Sequence, residues 1–422
     1  MADALLDGGD AFSTYTETID GGGYELPPGV VPIRDLTTSE ILYGSRVTAV
    51  RFELLTHDPA TGLDNLTGYL DGVELDGSLT WASSEAVKRS GTMTVLDLDT
   101  AAAGLTRIRD IDLVTTRIRP VLTVQGLPDQ PLGVYVITAA PEEWTATGRR
   151  FKVEIHDKST VLNEDLISET YAVTAGTNIL SAVQSVIVSA GETFTVDASQ
   201  TAVLKADQSW PVGTPKLQIV NDLLAVLLYN SLRIDGVGAF KATPYVDPAD
   251  RPTSYAVLND ANGDPLAREL VDGDASIYSA DWNLTRDSYQ VPNRVVAQEQ
   301  GTGTGAPLEG VATNTNPASP YSEPSRGRYI VKVLPSVPVP AGSDADVIAF
   351  LEGTAQRSLV ALSAVQASVS VSCLPIPIDL LDAIRFQSTP AGVDARHTVQ
   401  GVTVGLSFDG LMGLTLQEVV SV

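Results

Sequence analysis

From about residue 47 the chain alternates apolar and polar positions in short stretches: 47–55, 70–75, 91–98, 118–124, 134–138 and 151–155. Alternation at period two, closed by Gly, Pro and Asp, predicts half-buried antiparallel strands. After His156 the period changes. Residues 178–190 place apolar side chains at helical spacing, with Thr177 as the expected N-cap and Gly191 as the stop. A second helix is predicted from Thr214, with Pro215 at its first position, where a missing N–H costs nothing. Its stripe of Leu217, Ile219, Val220, Leu223, Leu224 and Leu227 needs a partner, and the hairpin over 231–245, turning at Gly236-Val237-Gly238, is the predicted one. Strand character returns at 276–284, 293–298 and 329–334. A helix is predicted over 344–361 with Ser343 as its cap and Asp346 in its first turn, before three closing strands.

Two regions share an order of elements. A strand at 118–124, a Gly/Pro/Asp linker, a strand at 134–138, a polar turn and a strand at 151–155 have a counterpart in 383–387, a second linker, 397–406, a turn at Asp409-Gly410 and 411–420. That order predicts a diverged internal repeat of two β-domains. The expected class is mainly β with α+β elements: two tube-like antiparallel barrel or sandwich domains and a small mixed α/β domain. The expected boundaries are an extended arm over 1–40, a first tube-like domain over 41–164, a mixed domain over 165–270 and a second tube-like domain over 271–422. The last of these carries a polar, flexible loop over 301–320 and the helix over 344–361.

Composition narrows the function. With 43% apolar residues the 422-residue chain can bury several cores. Its 27 Lys+Arg against 52 Asp+Glu give a formal charge of −25, which repels phosphate backbones and anionic membrane surfaces. The single Cys373 rules out a disulfide framework or a cysteine metal cage within one copy, and is compatible with synthesis in a reducing cytoplasm. The acidic start, residues 1–10, lacks the basic-then-apolar order of a signal peptide, and no apolar run approaches the ~20 residues of a membrane span.

Candidate chemistry is sparse. His57, His156 and His397 lie far apart, with neither a G-x-S-x-G elbow nor an H-E-x-x-H helix beside them. The stretch 260–264 opens like a calcium loop, with Asp260, Asn262 and Asp264 at alternate positions. Pro265 then stands where glycine is needed and Val271 where the bidentate glutamate belongs, so a turn is expected. Asp97 with Asp99, and Asp71 with Glu74 and Asp76, are expected at solvated strand edges. Gly301, Gly303 and Gly305 precede Pro307 and no helix, so no phosphate cradle is expected. Glu142-Glu143 beside Trp144 has little weight as a glycosidase pair among 52 acids. No catalytic, cofactor-binding or metal residue is assigned, and no enzyme activity is expected.

The run Arg119-Pro120, Gly133 to Ile137 and the strand ending Phe151 to Asp157 resembles the first domain of baseplate-hub or minor tail proteins of long-tailed bacteriophages. Val291 to Val296, Ser319 to Ser322, the helix over 344–361 and Leu374-Pro-Ile-Pro377 resemble the last hub domain. One departure is Asp379-Leu-Leu-Asp382, where such hubs often carry a Gly-Asp turn. The resemblance implies a tail-tip protein of the virion. It would be a homotrimer whose two tube-like domains make a six-part ring, matching a sixfold tube to a threefold tip and leaving a channel for DNA ejection. It implies a distal tail protein or tail tube above, tip or fibre proteins below, the tape-measure protein as a further neighbour, and no cofactor. A lumen lined by part of the acidic excess would let DNA slide without sticking. The alternatives are a hexameric distal tail protein and a receptor- or carbohydrate-binding tail module. Trp81, Trp144, Trp210 and Trp282 are scattered too widely to predict an aromatic platform.

Overall fold

A computed structural model describes residues 37–43, 48–74, 76–99, 102–124, 126–146, 148–273, 276–286, 291–300, 307–364, 367–407 and 410–419. Most of the expected arm, residues 1–36, and the turn residue Asp409 lie outside this description. The expected arm ran to residue 40, but Thr38–Tyr43 is a short helix. Glu40 accepts hydrogen bonds from the Thr37 amide and hydroxyl, and Thr37 accepts from the Glu40 amide. That reciprocal cap gives the helix its start, and Ile41 and Leu42 anchor it in the main core.

Five of the six alternating stretches form strands of one 15-stranded, almost wholly antiparallel sheet; the stretch expected at 70–75 does not, since the strand there is Leu63–Tyr69 and Leu70 and Val73 make only isolated bridges. Phe151, Val153 and Ile155 of Gly148–Asp157 are buried and their neighbours face out, as period two requires. Within this sheet two five-strand groups repeat the same plan. In the first, Ser78–Ala82, Arg89–Leu96, Gly148–Asp157, Tyr135–Ala139 and Thr116–Val124 lie side by side. In the second, the neighbours are Tyr278–Arg286, Ala367–Cys373, Met412–Glu418, Val393–Gly405 and Ala383–Ser388. Chain order and neighbour order agree between the groups, and every neighbouring pair within each is antiparallel.

The correspondence extends to single residues. A bulge between Ile137 and Ala139 in the first group has its counterpart between Val399 and Gly401 in the second. Aligning the two bulges places Phe151, Val153 and Ile155 on Met412, Leu414 and Leu416, and Ile118 on Ile384; all eight side chains are buried. The two groups share one apolar core, which also takes in Tyr255, Leu258 and Leu270.

Between the groups, Leu162 to Phe240 carry a separate core. Its first helix, Ile179–Ser189, is capped by the Asn178 carboxamide, which accepts from the Ser181 amide; the expected cap, Thr177, lies one residue too early. Its second helix is Lys216–Ala225, with Pro215 at the N-cap instead of the first helical turn. Leu232, Ile234 and Phe240 of the hairpin complete this core, as the stripe on the helix required.

The expected flexible loop over 301–320 is corrected beyond residue 306: Glu309–Thr313 is a strand paired with Arg294–Glu299, which pairs in turn with Val331–Val337. The helix Asp344–Ala364, started by the Ser343–Asp346 reciprocal cap, packs on this three-stranded sheet through Val347, Leu351, Ala355 and Leu359. Gly310 makes the contact possible. A Cβ there would lie 2.2 Å from the Glu352 amide nitrogen, so only glycine lets the helix backbone rest on the strand. Glycine content, which suggested flexibility, here serves close approach.

Candidate assembly interface

The two β groups meet edge to edge. Residues 401–405 run antiparallel to Ser78–Ala82, with Val402 opposite Trp81 and Val404 opposite Leu79. Beyond the last pair the ladder is extended by the Ser83 amide donating to the Gln400 carbonyl (2.8 Å) and by the Leu406 amide donating to Gly77 (2.9 Å). The joint thus satisfies backbone groups that each group alone would leave bare.

Arg89 fixes the joint from below. Its side chain is buried, donates to the Leu132 carbonyl (2.8 Å) and to Asp379 of the second group (2.9 Å), and lies 4.4 Å over the Trp81 ring. Burial opposes its charge, but Asp379 and the other nearby acidic groups more than offset this, so its pKa stands above the ordinary value. Trp81 donates to the Tyr135 hydroxyl, which donates to Leu132, so the whole node is hydrogen-bonded. On the far side, Asp379-Leu-Leu-Asp382 does form a turn. The Asp379 amide donates to Asp382, and Leu381 adopts φ +69°, a left-handed backbone that favours glycine. Arg233 and Arg251 hold this turn by donating to the Leu380 and Leu381 carbonyls.

A second polar node ties the first group to the helical unit. Arg117 pairs with Asp64 (2.7 Å) and Glu192, while Lys158 pairs with Asp64 (3.3 Å) and Glu192 (3.1 Å). All four side chains are almost wholly buried. His57 completes the node between Asp64 and the Gly191 carbonyl.

Several described strands pair on one side only, and three of them lie on edges of the main sheet. Leu63–Tyr69 pairs only with Thr48–Asp58, Glu142–Thr145 only with Gly148–Asp157, and Tyr278–Arg286 only with Ala367–Cys373. The residues considered for chemistry lie elsewhere or serve structure. His156 contacts Thr138, and His397 is buried edge-on to Phe386, where burial lowers its pKa. Asp260 caps its own turn by accepting from the Asn262 and Asp264 amides, the latter being the main reason its pKa falls. Asp97 was expected at a solvated edge but is buried between Arg109 and Arg149. Glu142 and Glu143 pair across their hairpin with Arg149, Arg150 and Lys152. Gly301, Gly303 and Gly305 lie outside the described residues. Among the described residues no cluster of His, Cys, Asp and Glu forms a metal site, and no helix is long and apolar enough to cross a membrane.

This arrangement has the fold of bacterial and prophage tail proteins. The tail protein from Neisseria meningitidis MC58 is similar over 88% of this chain and 97% of its own, with a TM-score of 0.58 at 12% identity. The 43 kDa tail protein of prophage MuSo2 from Shewanella oneidensis is similar over 87% and 98%, with a TM-score of 0.53 at 11% identity. No protein-family model and no curated protein matches the chain. The sequence identities are too low for more than the fold to be carried by the likeness.

Proposed function

We propose that the chain is a non-enzymatic structural protein of a phage tail tip, a hub that closes into a homotrimeric ring and leaves a channel for DNA. The observation that carries this is the residue-level repeat of two five-strand groups already joined edge to edge. Three copies would supply six such groups, matching a sixfold tube to a threefold tip.

The internal joint predicts the joint between copies. In the bulge alignment, residues 401–405 correspond to 139–143 and residues 78–81 to 283–286. If all six joints are alike, residues 140–143 of one copy run antiparallel to 283–286 of the next, with Glu142 opposite Leu284 and Glu143 opposite Asn283. Glu142–Thr145 and Tyr278–Arg286 are two of the strands with an edge left unpaired. The charge of −25 would then keep DNA from adhering to such a ring. The fold likeness to tail proteins supports tail neighbours above and below, and a location in the virion.

The test is Glu142→Cys with Leu284→Cys in one chain, oxidised at high protein concentration. Facing residues of an antiparallel pair stand ~4.5–5.5 Å apart, within disulfide reach. A covalently closed species of three chain masses is expected. A species of six chain masses would favour the distal tail protein instead, and a glycan-binding signal or peptidoglycan cleavage would displace the structural role altogether.

A further inference from the structure

Where the two β groups, the hairpin at 233–241 and the long helix converge, the surface opens into a cleft of about 340 Å³. Four cationic side chains line it: Lys88 from the first group, Arg233 and Arg251 from around the hairpin, and Arg357 from the helix. Glu418 is the single carboxylate in the lining. None of the four cations makes an ion pair among the described residues, although most other basic side chains of the molecule do. They are held by carbonyls instead. Lys88 donates to Ser83, Arg233 to Leu380, Arg251 to Val246 and Leu381, and Arg357 to Tyr229.

Those bonds fix the charges in place without neutralising them. Arg233 and Arg357 each use only Nη1, so the rest of each guanidinium fork faces no described acceptor. The Tyr245 ring lies 4.8 Å from the Arg357 guanidinium and 5.9 Å from that of Arg251, a favourable cation–π contact for each. Burial lowers the pKa of Lys88, Arg251 and Arg357, outweighing the opposing pull of Asp157 and Glu85 on Lys88, while no carboxylate acts on Arg357. Asp247 and Asp382 act on Arg251 through space, but Asp382 is engaged by Arg268. In a chain of net charge −25, a pocket with four cations and one carboxylate is built for an anion.

We infer that this cleft binds the carboxylates of an acidic peptide segment, and that the segment is residues 1–36 of this chain. That stretch carries Asp3, Asp7, Asp10, Glu17, Asp20, Glu25 and Asp35 against a single Arg34. It is long enough to span roughly 120 Å when extended, and its attachment to the chain gives it an effective concentration that a free anion lacks. The overall negative charge disfavours a nucleic acid in the same place. The cleft is complete within one copy, so the assignment stands independently of ring formation.

The test uses the full chain and a carbodiimide, which joins a lysine to a touching carboxylate without a spacer. Peptide mass mapping should find Lys88 joined to aspartates or glutamates within residues 1–36. The yield should fall about tenfold in Arg251→Gln/Arg357→Gln and in high salt. The Lys152–Glu143 contact, 2.7 Å apart in a distant hairpin, supplies an internal standard for folding and reagent in every variant. Mixing isotope-labelled and unlabelled copies shows whether the segment comes from the same copy or its neighbour, and either origin supports the assignment. With the standard intact, absence of links from Lys88 to residues 1–36, or an unchanged yield in the double variant, overturns it.

Discussion

Arg89 shows how a single charged residue can decide a joint. Replacing it by alanine would take from the Leu132 carbonyl one of its two donors, the Tyr135 hydroxyl being the other, uncover the Trp81 face and deprive Asp379 of its cation. Breaking a buried pair from one side costs about 3–5 kcal/mol, and since Asp379 keeps partial access to water the expected loss is about 3 kcal/mol, read from urea unfolding. His397 makes the second prediction at this scale. Burial lowers its pKa below 6.5 in the fold, so as pH falls through 6.5 the unfolded chain takes up the proton first. Stability declines from there until the folded imidazole also protonates. His397→Gln should therefore lose less stability than the parent between pH 7 and 5, compared by thermal unfolding. Neither role is marked in the sequence, since each depends on neighbours hundreds of residues away or on burial.

Elements were more legible than their ends. The strand at 148–157 and the helix at 344–364 follow from periods of two and 3.6, because one face of each must leave water. Caps slipped by a residue because Thr177 and Asn178 are both good cappers, and the backbone angle at Asn178 decides between them. The strand Glu309–Thr313 was illegible because glycine and alanine read as loop until a helix lies on them. Gly310→Val would force the helix off the strand, and overpacking of that kind costs about 1–3 kcal/mol. Protease sensitivity should rise within 309–364 while the main sheet stays intact; limited proteolysis with peptide mapping checks this.

At the scale of the whole molecule, the node of Arg117, Asp64, Lys158 and Glu192 couples the helical unit to the first β group. Glu192→Gln removes one of the two carboxylates that both cations face, with an expected loss of about 3 kcal/mol. Differential scanning calorimetry should then show the unit over 162–242 melting ahead of the main sheet, where the parent melts as one. The same scale holds the repeat. Its order of elements was visible in sequence at 118–155 and 383–420, but the matched bulges and buried positions appear only once the strands are paired.

By itself the sequence determined that this protein is β-rich, strongly acidic, able to fill several cores and equipped with two similar strand runs. Those properties are local or additive: periodicity, charge and apolar content are summed along the chain. Tertiary structure alone decided that residues 401–405 lie against Ser78–Ala82, that Arg89 reaches Asp379, and that Lys88, Arg233, Arg251 and Arg357 share one cleft. Such meetings depend on which edges remain open after every strand has found its partner. That is a property of the folded whole, and no window along the chain contains it.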